Sequence, residues 1–103
     1  MAVKVLIERH VKYGHEQQVF DLLKQLRVHC LDQPGYIQGE TLRDALDPSH
    51  ILVISHWFGL GHWRQWESST TRKALDQQVR EHLEGDPSVR VYLEGLSDDT
   101  SGA

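Results

Sequence analysis

Apolar and polar residues alternate at the start of the chain, with Val3, Val5, Ile7 and Val11 on one parity. A period of two predicts a strand over Ala2 to His10. Leu6 interrupts the alternation, which implies cover on both faces. Beyond Gly14 the period lengthens. Val19, Leu22, Leu23, Leu26 and Cys30 form one helical stripe, and Glu16 in the first turn suits the helix dipole. Pro34-Gly35 ends that helix. Tyr36 to Arg43 reads as a second strand, interrupted by Gln38, Gly39 and Glu40. Asp47-Pro48-Ser49 is turn chemistry, so the next strand returns as a hairpin. Ile51 to Trp57 is the strongest strand, apolar on both faces. After Gly59 and Gly61 a short helix carries Trp63 and Trp66. Ser68, Ser69 and Thr70 offer caps for a further helix, in which Leu75, Val79 and Leu83 recur every four residues. Gly85-Asp86-Pro87 ends it, and Val89, Val91 and Leu93 alternate in a last strand.

The βαββαβ order predicts an α+β fold of the ferredoxin-like kind, an antiparallel four-stranded sheet with its helices on one face. One domain is expected over residues 1–95. Residues 96–103, polar and small, are expected to fray as a flexible C-terminal tail. Helices on one face leave the other bare, yet the first and third strands are apolar on both parities. A second copy of the sheet supplies the missing cover, and a homodimer is expected.

Length and charge narrow the function. With 103 residues there is room for one modest core, and 39% hydrophobic with 25% charged residues describes an ordinary globular chain. The net charge of -4 and the scattered basic residues give no footprint for nucleic acid. Cys30 is the only cysteine, so no internal disulfide forms, and its place on the helical stripe reads as packing. Val3 to Ile7 is too short for a signal peptide and no segment is long enough to span a membrane, so the cytoplasm is the expected location.

Several of these parts stand together in a recognisable order: the opening strand Val3 to Arg9, the Tyr13-Gly14 turn, Gln33-Pro34-Gly35-Tyr36, and Ile51 to Trp57 followed by Trp63 and Trp66. In this order the chain resembles the antibiotic biosynthesis monooxygenase family, over nearly its whole length from Val3 to Leu93. The resemblance implies a dimeric α+β barrel with a cavity between the sheet and the helices of each subunit. It also implies oxidation of a small electron-rich aromatic, such as a quinol or polyketide, by O2 without a cofactor. The alternative is a non-catalytic or haem-binding, haem-degrading member. Haem-degrading members use an Asn near the end of the first strand, a Trp in the short helix and a His in the next helix. Trp66 matches the Trp, but Asp76 stands where the His is expected, and the sequence has no Asn. No cofactor is therefore expected, with haem as the alternative.

Trp63 and Trp66, three residues apart, lie about 60° apart around a helix axis and so share a face. With Trp57 they are the candidate substrate-binding residues, a flat wall for an aromatic ring, although aromatic stripes also serve as core. Among seven histidines no pair has the spacing of a zinc motif, and no metal site is expected. His56, beside Trp57 in the central strand, is the candidate base, because a neutral imidazole can take a phenolic proton near neutral pH. Asp76 is the second catalytic candidate, and Glu8 a further carboxylate. Gly59-x-Gly61 has Arg64 at the third glycine position of a nucleotide fingerprint and no βαβ unit around it, so a nucleotide is not expected.

Overall fold

The computed structural model describes residues 1–95, so the expected tail over 96–103 lies outside the described residues. Strand β1 (Val3–His10) leads to helix α1 (Glu16–Cys30), then strands β2 (Tyr36–Arg43) and β3 (His50–Trp57). Helices α2 (Leu60–Glu67) and α3 (Thr70–Arg80) come next, and strand β4 (Ser88–Leu93) closes the order. The sheet runs β2-β3-β1-β4, antiparallel throughout. This is the expected ferredoxin-like βαββαβ arrangement.

Strand pairing decides which residues meet the helices. Val3, Val5, Ile7 and Arg9 of β1 stand opposite Trp57, Ser55, Val53 and Ile51 of β3. These positions face α1, α2 and α3 and make the floor of the core, with Val3, Val5, Ile51 and Trp57 fully buried. Val19, Leu22, Leu23 and Leu26 supply the roof from the stripe of α1. The opposite parity of the same strands forms a bare outer face, where Leu6, Leu52 and Ile54 are half-buried in the single chain.

A helix cap and a strand bulge set the edges of the space under the helices. Ser69 is the N-cap of α3, and its hydroxyl accepts a hydrogen bond from the Arg72 backbone N–H at 3.2 Å. In β2 the register shifts between Tyr36 and Gln38, which puts Ile37 in a bulge. The stripe of α3 differs from expectation at one end. The helix stops at Arg80, and Leu83 instead pairs with Val11 in an isolated bridge, while remaining buried.

Candidate functional site

The helices and the sheet do not close completely on each other. A cavity of about 50 Å³ remains between them. Its floor is Ile7, Arg9, Val53 and Ser55 of the sheet, and its roof is Leu23, Leu26, Arg27 and Cys30 of α1. Trp63 and Trp66 of α2 form the end wall together with Arg72 of α3, and Tyr36, Gly39 and Thr41 of β2 make the open side.

Trp63 and Trp66 therefore share a face and line the cavity, as their spacing implies, while only 2% and 3% exposed. Trp57 does not line it. The indole is fully buried between Tyr36 and Trp63, edge-on to both rings, and its N–H donates to Ser55 Oγ at 3.0 Å. Its contacts are those of a core residue.

His56 lies on the side of the sheet away from the cavity. Neighbours in a strand point to opposite faces, so burial of Trp57 under the helices sends His56 outward. There its Nδ1 lies 3.5 Å from Glu94 Oε1, beside a shallow hollow of Gln38, Gly39 and Glu40. The β3 backbone separates its imidazole from anything held against Trp63 and Trp66. His56 therefore stands apart from the residues that line the cavity. Glu8 shares the outward parity, 3.7 Å from His50 Nε2.

Asp76 is buried but sits behind the cavity wall. Its carboxylate accepts from Arg80 Nε at 2.8 Å and lies 3.8 Å from Arg9 Nη2. Both carboxylate oxygens are thus engaged, Oδ2 by Arg80 and Oδ1 by Arg9. The pairing makes Asp76 the partner of Arg9.

Arg9 is the cavity residue that the sequence pattern does not single out. Only 2% of it is exposed, and it lines the cavity with its Nε buried and without a hydrogen-bond partner. Burial, partly offset by Asp76, pulls its pKa down to about 10, so it remains a cation at neutral pH. Arg72, also buried, stacks its guanidinium over the Trp63 ring at 5.2 Å. Arg27 spans the opening, donating to Gly39 O and Thr41 Oγ1, both at 3.1 Å. Three guanidinium groups thus line a cavity whose lining contains no carboxylate among the described residues.

Two further titratable groups line it. Burial pushes the Cys30 thiol up to about 11 and also raises the Tyr36 phenol. Cys30 is therefore a thiol near neutral pH, not a thiolate nucleophile. Haem does not fit this lining. No histidine lines the cavity, the Cys30 sulfur stays protonated, and about 50 Å³ is far below the volume of a porphyrin. Among the described residues no group of three or more His, Cys, Asp or Glu is placed to hold a metal ion. None of the described helices is long and apolar enough to cross a membrane.

A ferredoxin-like sheet roofed by helices, with an aromatic-walled, cation-lined cavity between them, defines the chain as a small α+β domain. The family model for antibiotic biosynthesis monooxygenase matches residues 2–78, and the chain belongs to that family. A conserved protein from Methanosarcina mazei Go1 has the same fold with a TM-score of 0.85, at 22% identity over 89% of this chain and 91% of that one. An antibiotic biosynthesis monooxygenase superposes with a TM-score of 0.82, at 18% identity over 92% of this chain and 99% of the other. SnoaB, a cofactor-independent oxygenase from Streptomyces nogalater, gives a TM-score of 0.83 at 12% identity, covering 93% of this chain and 95% of its own. No curated protein matches the chain in sequence.

Proposed function

We propose that this protein is a cofactor-independent monooxygenase that oxidises a small electron-rich aromatic with O2, and that it works as a homodimer. The observation behind this reading is a cavity in which the Trp63 and Trp66 indoles meet the buried guanidinium groups of Arg9 and Arg72. A phenol lying against the indoles directs its hydroxyl toward those cations. In a site shielded from water they favour phenolate over phenol, so the proton leaves to solvent and the anion stays. An aromatic anion reduces O2 without help. One electron passes to O2, the radical pair recombines as a carbon-bound peroxide, and loss of water leaves the quinone. Phenol and O2 give quinone and water, and the balance closes with no other reductant. Trp63 and Trp66 hold the ring, Arg9 and Arg72 stabilise the anion, and Asp76 positions Arg9. Family membership and the likeness to SnoaB support the reaction type by analogy.

The dimer reading rests on the outer sheet face. Leu42 and Tyr92 there are 44% and 48% exposed beside half-buried Leu6, Leu52 and Ile54, an apolar centre that a second sheet would cover. Light scattering at micromolar concentration should give twice the monomer mass, and a persistent monomer would remove the dimer. Oxygen uptake with a panel of anthrone-like phenols and quinols tests the chemistry. Uptake proportional to protein, abolished by Arg72→Met, is the expected result. No uptake across the panel would leave a ligand-binding domain without this reaction.

A further inference from the structure

Outside the cavity, α1 and the edge strand β2 enclose a groove of about 550 Å³, lined by Phe20, Lys24 and Val28 and reaching Leu23, Arg27 and Thr41. Those last three residues also line the inner cavity. Inner cavity and outer groove therefore abut, and the side chain standing between them is Arg27, latched to Gly39 O and Thr41 Oγ1. The inner cavity alone falls below the ~300–1,000 Å³ of small-molecule sites, and together the two spaces fall within it.

The geometry points to one continuous site for an amphipathic aromatic anion, its ring inside against Trp63 and Trp66 and its acidic group outside, with Arg27 as both gate and anion partner. This rests on the proposed oxidation only in sharing the cavity. Charge complementarity carries it. The outer groove contributes Lys24 and Arg27, its lining holds no carboxylate among the described residues, and Arg43 stacks on Phe20 at 4.8 Å. Arg27 has no acidic partner among the described residues. Deeper in, Arg9 Nε is buried without a partner, a donor that a ligand oxygen can satisfy. Opening the gate breaks the two Arg27 hydrogen bonds. A carboxylate or sulfonate replaces them with charge-assisted ones, whereas a neutral ligand does not.

Two dyes with the same rings test this: 8-anilinonaphthalene-1-sulfonate and the uncharged N-phenyl-1-naphthylamine. Each is titrated by fluorescence against the full chain. Arg27→Met should weaken the sulfonate about tenfold, as loss of a hydrogen bond to a charged group implies, and leave the amine binding as well or more tightly. Thr41→Val, which removes one acceptor from the latch, should speed association of both dyes. Should Arg27→Met fail to fold, Lys24→Glu at the exposed rim carries the same comparison, with loss expected for the sulfonate alone. Equal weakening of both dyes, or of neither, overturns the proposal. Dye selectivity without oxygen uptake would sink the oxidation and leave this site standing; uptake without selectivity would do the reverse.

Discussion

The Arg9 guanidinium lies 3.8 Å from the Asp76 carboxylate, with the two side chains 2% and 12% exposed. A strand and a helix far apart in sequence are joined by this pair, and Asp76 hands the contact on to Arg80. An ion pair taken out of water is costly to break from one side, because the remaining charge stays buried.

Asp76→Asn should therefore cost about 3–5 kcal/mol in urea denaturation, the usual range for leaving a buried charge uncompensated. The double variant Arg9→Met, Asp76→Asn should lose less than the sum of the single changes. Additive losses would mean that the two residues act independently.

The three aromatic and histidine positions should separate cleanly. Trp66→Ala should cost about 3–5 kcal/mol, as removal of a buried aromatic does, and should also abolish binding of the aromatic dyes. Trp57→Phe should cost about 1–3 kcal/mol through lost volume and the lost bond to Ser55, with dye binding retained. His56→Ala, on the far face, should leave oxygen uptake intact. A collapse of uptake in that variant would identify His56 as the base.

His50 gives a pH signature. Its hydrogen bond to Asp44 raises the imidazole above its usual 6.5 against some loss from burial, while bonds from the Leu46 N–H and from His50 lower Asp44 below 3.8. A raised folded pKa stabilises the fold fully below 6.5 and loses that contribution as pH rises through the folded value. Asp44 contributes above 3.8 and fades as pH falls through its own lowered value. The hairpin is thus best held in mildly acidic solution. An NMR titration should place His50 above the free imidazole, and Asp44→Asn should bring it down.

Ser69→Ala removes the side-chain cap of α3 and should cost about 1 kcal/mol by thermal or urea denaturation. Because α3 carries both Arg72 and Asp76, the same change should also loosen dye binding slightly. Unchanged stability would show that another group caps the Arg72 N–H.

Periodicity is a good guide to the elements and to much of the core. The parity of β1 and the stripe of α1 place Val3, Val5, Ile7, Val19, Leu22, Leu23 and Leu26 inside, where the structure has them. The site is legible only in part, for two reasons. His56 stands out by lying next to Trp57, but adjacency in a strand means opposite faces, and that rule alone assigns it outward. Arg9 escapes notice as a charged residue although it continues the Val3, Val5, Ile7 parity. Arg72 and Asp76 likewise fall on the stripe of Leu75 and Val79. Charged residues at core positions are the readable sign of a buried ionic site. What no local pattern supplies is the pairing of Arg9 with Asp76, or the gap left between α1 and the sheet, since both depend on how distant segments pack.

The bulge at Ile37 has a consequence for how this site can be gained or lost. Tyr36 and Gly39 are three residues apart, which in an unbroken strand would set them on opposite sides. The extra residue brings both to the cavity side, so closely that a Cβ on Gly39 would stand 2.6 Å from the Tyr36 hydroxyl. Deleting Ile37 would leave Tyr36 and Gly39 two apart in an unbroken strand, still on one side, but would remove the bulge that bends β2 at the cavity mouth. Among homologues, the spacing between the Pro-Gly turn and the strand should then track the shape of the cavity mouth more faithfully than the identity of any residue within it.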